Sequence, residues 1–215
     1  MMKSCKHFMG YMADSSKTTM RVVQPYIGFA YNLLTSPREV GAVCPSSPAL
    51  ASVLVDASKA CAFKTDGLVI DLGAGSGVVT RKLLERGVPP RSIVAIDRSP
   101  SFARVVGKRF PGVAVLCEDA KNLAAAVKSA RPGERVKTVI SSLPFRSLPG
   151  QTRKAVADGI MGVLRQQGGC GCLVQFSYFW WDQYPLARYG FIPRSRRFVF
   201  WNVPPAVVEV YTVPE

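Results

Sequence analysis

Three closely spaced glycines follow an apolar run and form the clearest candidate for a binding turn. Residues 68–70 are apolar and are followed by Asp71. Gly73, Gly75 and Gly77 then come within the next six residues. Because glycine has no side chain, such a turn lets the backbone approach a ligand closely and bend sharply into a helix. The dinucleotide fingerprint G-x-G-x-x-G would need a glycine at position 78, where this chain has valine. The spacing therefore argues against a nicotinamide-binding turn.

Carboxylates lie where successive strands of the predicted sheet end. Asp71 ends the first strand, Asp97 ends the second, and Asp119 follows the third. A single acid in such a place is commonly a turn or capping residue. Three acids at successive strand ends share the carboxyl edge, where open α/β sheets bind their ligands. We therefore expect a ligand site along this edge.

The order Asp-x-Gly-x-Gly-x-Gly after an apolar strand resembles motif I of the S-adenosylmethionine-dependent methyltransferases. The resemblance implies S-adenosyl-L-methionine as cofactor and S-adenosyl-L-homocysteine as product. It also implies that Asp97 binds the ribose hydroxyls and that Asp119 accepts from the adenine amino group. The cofactor-binding residues predicted in this way are Asp71, Gly73, Gly75, Gly77, Asp97, Arg98, Asp119, Ala120 and Ser142.

The end of the fourth strand reads Ser-Ser-Leu-Pro-Phe over residues 141–145. The resemblance implies that this position abuts the reactive methyl, so its residues indicate the kind of methyl acceptor. Adenine N6-methylases, including the rRNA dimethylases, carry Asn or Asp before the x-Pro-aromatic triplet. Ser142 stands at that position, and a hydroxyl cannot replace a planar amide or carboxylate acceptor. This departure weakens the hypothesis of an rRNA adenine N6-methyltransferase, which we keep as the alternative to the lipid enzyme described next. A binding scaffold without turnover is a third hypothesis.

Several segments resemble the soluble bacterial phospholipid N-methyltransferases, which are class I enzymes related to the rRNA adenine dimethylases. The resemblance implies stepwise N-methylation of phosphatidylethanolamine towards phosphatidylcholine at a membrane surface. The number of transfers, and the choice between an ethanolamine lipid and an ornithine-type aminolipid, stay open. The resembling segments are 36–48, the glycine turn with 78–81, 142–149, 175–178 and 201–206.

Aromatic and arginine side chains after the fifth strand fit such a substrate. Aromatic faces hold a quaternary ammonium by cation–π attraction, and a guanidinium matches a lipid phosphate. Tyr178 is the candidate catalytic residue, which would accept a hydrogen bond from the amine and orient it. The predicted substrate residues are Arg38, Phe145, Arg146, Tyr178, Trp180, Trp181 and Arg188.

Alternating strands and helices must position these residues. Continuous apolar runs separated by helical segments indicate a parallel sheet covered on both faces. The last two runs, 197–202 and 207–213, have no helix between them and predict an antiparallel hairpin. We expect an α/β fold of the Rossmann-like class I methyltransferase type, with seven mostly parallel strands and an N-terminal helical extension. The five earlier strands are predicted at 68–71, 93–97, 113–117, 136–141 and 170–179.

The excess of basic over acidic residues indicates an anionic partner. The 215 residues carry 28 Lys and Arg against 14 Asp and Glu, a net charge of +14. Residues 25–35 are apolar at helical spacing between basic flanks, so they could lie in a membrane interface or pack on the protein's own core. We therefore predict a tail and membrane-contacting helix over 1–43 and a methyltransferase domain over 44–215.

The remaining expectations concern compartment and partners. No apolar run reaches the roughly 18 residues that span a bilayer, and no secretory signal is visible. The six cysteines read as reduced thiols without metal-ligand spacing. We expect a cytoplasmic enzyme attached peripherally to the inner face of the cytoplasmic membrane. Its partners would be a phospholipid substrate and an anionic surface, with no metal and no stable nucleic acid partner.

Overall fold

Seven strands form one sheet in the computed structural model, which describes residues 47–62, 66–165, 171–178, 183–202 and 205–214. Their order across the sheet is β3-β2-β1-β4-β5-β7-β6. In chain order they are β1 Leu68–Leu72, β2 Ile93–Asp97, β3 Ala114–Cys117, β4 Val136–Ser141, β5 Cys172–Ser177, β6 Ile192–Val199 and β7 Ala206–Thr212.

The first five strands are parallel, and β7 lies antiparallel between β5 and β6. Every residue of β1 is buried, as expected for a strand covered by helices on both faces. This arrangement confirms the predicted class I methyltransferase fold with a C-terminal antiparallel hairpin. The predicted helix at 25–35 and the boundary near residue 43 lie outside the described residues and stay predictions.

In the described ranges, five α-helices cover the two faces of the sheet. Residues of α4 and α5 pack on one face, and residues of α1, α2 and α3 pack on the other. None of the helices in the described part of the chain combines the length and the apolarity needed to cross a bilayer. The helices are α1 Pro48–Ala62, α2 Val78–Glu85, α3 Pro100–Arg109, α4 Leu123–Ala130 and α5 Gly150–Arg165.

The structure adds one helix that was not predicted and moves one strand. The backbone N–H of Leu50, in the first turn of α1, donates to Ser47 Oγ at 3.1 Å, and Pro48 suits the first helical position. Strand β6 begins at Ile192, so the predicted span of 197–202 was wrong. Its arginine-rich sequence lies mostly exposed at the sheet edge, so it lacks the alternating apolar pattern of a half-covered strand.

Candidate active site

The glycine turn joins β1 to α2 and is held against β2. The backbone N–H groups of Gly73 and Ala74 donate to the carbonyl of Ile96 at 2.8 and 3.0 Å. Gly73, Gly75 and Gly77 all have left-handed backbone conformations, with φ of 79°, 52° and 79°. A left-handed conformation is unfavourable for residues with a Cβ, which explains why the turn needs glycine.

Two of these glycines meet different surroundings. A Cβ on Gly75 would have nothing within 4 Å, so the turn presents open space there for a ligand. A Cβ on Gly77 would lie 2.6 Å from the ring of Phe110, which belongs to the buried core beside α3. Gly75 therefore permits close approach of a ligand, whereas Gly77 permits close packing of the protein itself.

Asp71 is a fully buried acid immediately before this turn. Its Oδ2 accepts a 2.6 Å hydrogen bond from Thr80 Oγ1, and its Oδ1 has no hydrogen-bond partner among the described residues. Burial raises the pKa of Asp71 to about 6, against a hydrogen bond from Thr80 that lowers it. A buried, unpartnered carboxylate oxygen next to an open turn fits a ligand that carries positive charge, as S-adenosylmethionine does.

Asp97 ties the end of β2 to the glycine turn. Its Oδ2 accepts from the backbone N–H of Gly75, and its Oδ1 accepts from that of Ser99, both at 2.8 Å. Each carboxylate oxygen has two acceptor positions, so both can accept a further hydrogen bond from a ribose hydroxyl. The predicted ribose acceptor therefore also fixes the loop that would surround the cofactor.

The end of β3 lies beside Asp97. The backbone N–H of Glu118 donates to the carbonyl of Asp97 at 3.1 Å, which joins the two strand ends. Asp119 caps the short 3-10 turn that begins at Ala120 by accepting from the Lys121 N–H at 2.9 Å. The structure thus brings Asp97, Asp119 and Ala120 to one edge, whereas the side chain of Arg98 is exposed to solvent.

Ser142 lies against the end of β1. Its backbone N–H donates to the Leu72 carbonyl at 2.8 Å, and the residue is buried. The neighbouring Leu143 lies next to the glycine turn, because a Cβ built on Gly73 would meet its side chain at 3.0 Å. The predicted acceptor-side residue therefore borders the same turn as the predicted cofactor residues.

Gln175 of β5 is absent from the predicted site residues, yet it supports this edge. Its Nε2 donates to the carbonyls of Leu143 and Phe176 at 2.9 and 2.7 Å, while its buried Oε1 has no hydrogen-bond partner in the part of the chain that the structure describes. The Nε2 bonds fix the amide orientation, since the oxygen would otherwise face two carbonyls. In the sequence, the feature that could have indicated this role is a single glutamine within an otherwise apolar strand.

The predicted substrate residues are dispersed in the structure. Phe145 is only 5% exposed and packs in the core, and Arg146 beside it is half-buried. Tyr178 is half-buried and makes an edge-to-face contact with Phe176, with ring centroids 5.3 Å apart. Arg188 is exposed. Arg38, Trp180 and Trp181 lie outside the described residues, and all these substrate roles stay predictions.

Comparison with known proteins agrees with this geometry. Residues 69–168 match the family model described as "Methyltransferase domain". This part of the chain is a methyltransferase domain. Its open turn and the unpartnered carboxylate oxygen of Asp71 fit S-adenosylmethionine, which is the methyl donor. The described part of the chain contains no group of three or more His, Cys, Asp and Glu side chains that could hold a metal ion.

Individual relatives extend over most of this methyltransferase. An "Ornithine lipid N-methyltransferase" from Singulisphaera acidiphila is 26% identical over 174 residues, 78% of this chain and 85% of the relative. A TehB-like SAM-dependent methyltransferase from Corynebacterium glutamicum is 17% identical with a TM-score of 0.54, covering 90% of this chain and 99% of its own. The 1,6-didemethyltoxoflavin-N1-methyltransferase of Burkholderia thailandensis is 15% identical with a TM-score of 0.56, covering 92% and 90%. These two structures show that the fold is shared.

Asp97→Asn is expected to weaken S-adenosylmethionine binding by about 10- to 100-fold, because hydrogen bonds to a charged group contribute about 1.5–3 kcal/mol. The amide would keep one acceptor and turn an NH₂ group towards a backbone donor. Isothermal titration calorimetry measures the loss. Glu134→Gln, which removes an exposed carboxylate that pairs with Arg131, is the control and should leave the affinity unchanged. Equal affinities for all three proteins would remove Asp97 from the cofactor site.

Proposed function

We propose that this methyltransferase N-methylates the headgroup amine of a membrane lipid. The observation that carries the proposal is the relative of 26% identity, an ornithine lipid N-methyltransferase that aligns with 78% of the chain. The sequence resemblance to phospholipid N-methyltransferases supports the same reaction type. The candidate acceptors are phosphatidylethanolamine, methylated stepwise towards phosphatidylcholine, and an ornithine-type aminolipid.

The acceptor side of the site favours this proposal over adenine methylation. Ser142 supplies no planar acceptor for an adenine amine, and Phe145 is buried in the core. An aromatic ring that is 5% exposed offers no face on which a flipped base could stack. An rRNA adenine N6-methyltransferase therefore remains the alternative, with the weaker geometric support.

The protein's part in the proposed reaction is to position the amine. The cofactor supplies a methyl group made electrophilic by the sulfonium. Because an ammonium has no lone pair, the amine must first lose a proton, which water takes up. We assign Tyr178 to accept a hydrogen bond from the neutral amine and so to orient it. Tyr178 follows β5, at the same edge as Ser142. Positioning of this kind supplies much of the rate in reactions between two bound groups.

A labelled-methyl assay tests the proposal. S-adenosylmethionine carrying a labelled methyl group is incubated with the enzyme and detergent micelles of phosphatidylethanolamine, micelles of ornithine lipid, or rRNA. Label should enter one of the lipids, and thin-layer separation of the products counts the transfers and identifies the headgroup. The Gly75→Arg variant is the background control. Label in rRNA with none in lipid would replace the proposal by the alternative.

The proposed location follows from the proposed substrate. A lipid acceptor requires the enzyme to meet a bilayer, and the +14 charge favours the anionic cytoplasmic face. We therefore propose peripheral attachment to the inner face of the cytoplasmic membrane. Residues 25–35 remain the contact predicted from the sequence, and they lie outside the described residues.

A further inference from the structure

Strand β6 and the turn after it expose a cluster of aromatic side chains. Phe198, Phe200 and Trp201 are 50%, 72% and 91% exposed, and the first two rings stack with their centroids 5.8 Å apart. We name these three residues the hairpin ridge. Of the five large apolar residues exposed in the described part of the chain, these three and Ile192 belong to β6 or its turn. Such a concentration marks an interaction surface.

The segment that carries the hairpin ridge is positively charged. Residues 183–202 contain four arginines and no acidic residue. Arg196 pairs with the buried Glu209 at 3.2 Å and places its guanidinium 5.3 Å from the centre of the Phe198 ring. Arg194 and Arg197 on the same strand are exposed. The partner of this surface must therefore offer apolar area together with negative charge.

The ridge lies at the same edge of the sheet as the candidate active site. Strand β7 starts at Ala206 opposite Val199, and Val207 pairs with Ser177 at the carboxyl end of β5. The end of β6 and the start of β7 therefore lie at the edge that carries the glycine turn. Three strand spacings separate β6 from β4, or about 14 Å. A flat partner bound to the ridge would face the active-site edge.

The turn is also anchored to the body of the domain. Asn202 is buried, and its Oδ1 accepts a 2.6 Å hydrogen bond from Ser47 Oγ at the start of α1. Trp201 is thus exposed next to a fixed residue. A surface held in place before binding loses less conformational entropy when it binds.

We propose that the hairpin ridge docks onto an anionic lipid bilayer, with its aromatic rings in the interface and Arg194 and Arg197 against lipid phosphates. Tryptophan and other aromatic side chains favour the membrane interface, and basic side chains are attracted to anionic lipid. Protection of an unpaired edge strand would explain the arginines and Pro193, but not aromatic rings exposed beside them. The same residues disfavour edge-to-edge pairing with a second copy. The inference rests on the proposed function for its lipid partner.

Vesicle sedimentation of the full-length protein tests the docking surface. The vesicles contain either phosphatidylcholine alone or equal parts of phosphatidylcholine and phosphatidylglycerol. Phe200→Ser combined with Trp201→Ser should weaken binding to the anionic vesicles at least about tenfold. Arg194→Gln combined with Arg197→Gln should weaken it about fivefold for each arginine, with a smaller loss at high salt.

Matched controls separate docking from general effects. Val105→Ser removes an exposed apolar side chain on α3, and Lys108→Gln with Lys128→Gln removes two exposed charges elsewhere. These controls should bind vesicles like the wild type. Wild-type binding by both ridge variants would overturn the proposal, as would a wild-type dimer that the aromatic variant converts to a monomer. Preferential binding of rRNA by the wild type, lost in the arginine variant, would also overturn it.

The vesicle-binding test and the methyl-transfer assay can fail independently of each other. In detergent micelles the Phe200→Ser, Trp201→Ser variant should transfer methyl groups at the wild-type rate, because no bilayer has to be reached. Unchanged vesicle binding with normal transfer in micelles would reject the docking surface and keep the proposed function. Loss of vesicle binding in that variant, with no lipid methylated by the wild type, would reject the function and keep the surface.

Discussion

Gly75→Arg is expected to lower the affinity for S-adenosylmethionine by about 100-fold or more, a loss of at least about 3 kcal/mol. The Cβ of the new residue would enter the open space beside the turn, and its long side chain would occupy the volume that the cofactor needs. Gly75 also donates its N–H to Asp97, so a displaced backbone would disturb the predicted ribose acceptor as well. Calorimetric titration of the purified variant measures the affinity directly.

Two other glycines serve as controls for this substitution. Gly87 also has a left-handed backbone, with φ of 86°, and a Cβ there would meet nothing within 4 Å. Gly87→Arg should therefore cost about the same 1–2 kcal/mol of backbone strain and leave cofactor affinity intact. Gly77→Ala should instead lower the melting temperature, because its Cβ would collide with the Phe110 ring. If Gly87→Arg lost affinity as severely as Gly75→Arg, the assignment of the turn would fail.

The strand ends and the glycine turn could be predicted from the sequence because their causes are local. A strand buried on both faces must be continuously apolar, and a left-handed turn requires glycine. Parallel pairing then brings the carboxyl ends of β1, β2 and β3 to one edge, so Asp71, Asp97 and Asp119 follow without knowledge of side-chain contacts. The relevant physics acts within a few residues of each position.

Features that depend on contacts between distant residues could not be predicted in this way. Gln175 matters because its amide reaches the Leu143 carbonyl, which is 32 positions earlier in the chain. The extent of β6 depends on pairing with β7, and no apolar periodicity within β6 marks it. Phe145 was predicted as a substrate residue, and its burial could not be predicted because packing against other elements of the core sets it. Each of these features is decided by tertiary packing.

The contribution of Asp71 to the stability of the enzyme without cofactor is expected to fall as pH rises from about 4 to about 6. Folding raises the pKa of this carboxyl from 3.8 to about 6, so within that window the folded state keeps a proton that the unfolded state has released. The folded state binds more protons, so the free energy of unfolding falls with pH. Above about pH 6 the folded protein bears the full free-energy cost of ionising the buried Asp71 carboxyl, which is about 3 kcal/mol from the two pKa values.

Asp71→Asn should remove this slope. Urea unfolding of wild type and variant at about pH 4.5 and about pH 7.5 gives the comparison, and the variant should gain relative to the wild type at the higher pH. It should also bind S-adenosylmethionine more weakly, because the unpartnered carboxylate oxygen that attracts a cationic ligand is gone. The ionised acid would thus be a group that destabilises the folded protein and serves its ligand. Identical pH slopes for both proteins would contradict this account.

Thr80→Val provides the second test, because it acts on the same carboxyl without removing it. The Thr80 hydroxyl donates to Asp71 at 2.6 Å and holds the pKa below the value that burial alone would give. Without this donor the pKa should rise further, so the fall in stability should extend to higher pH than in the wild type. Cofactor affinity should fall with it near neutral pH, where part of the carboxyl would now be protonated. A variant whose stability falls over the wild-type pH range would show that the Thr80 hydrogen bond does not control this acid.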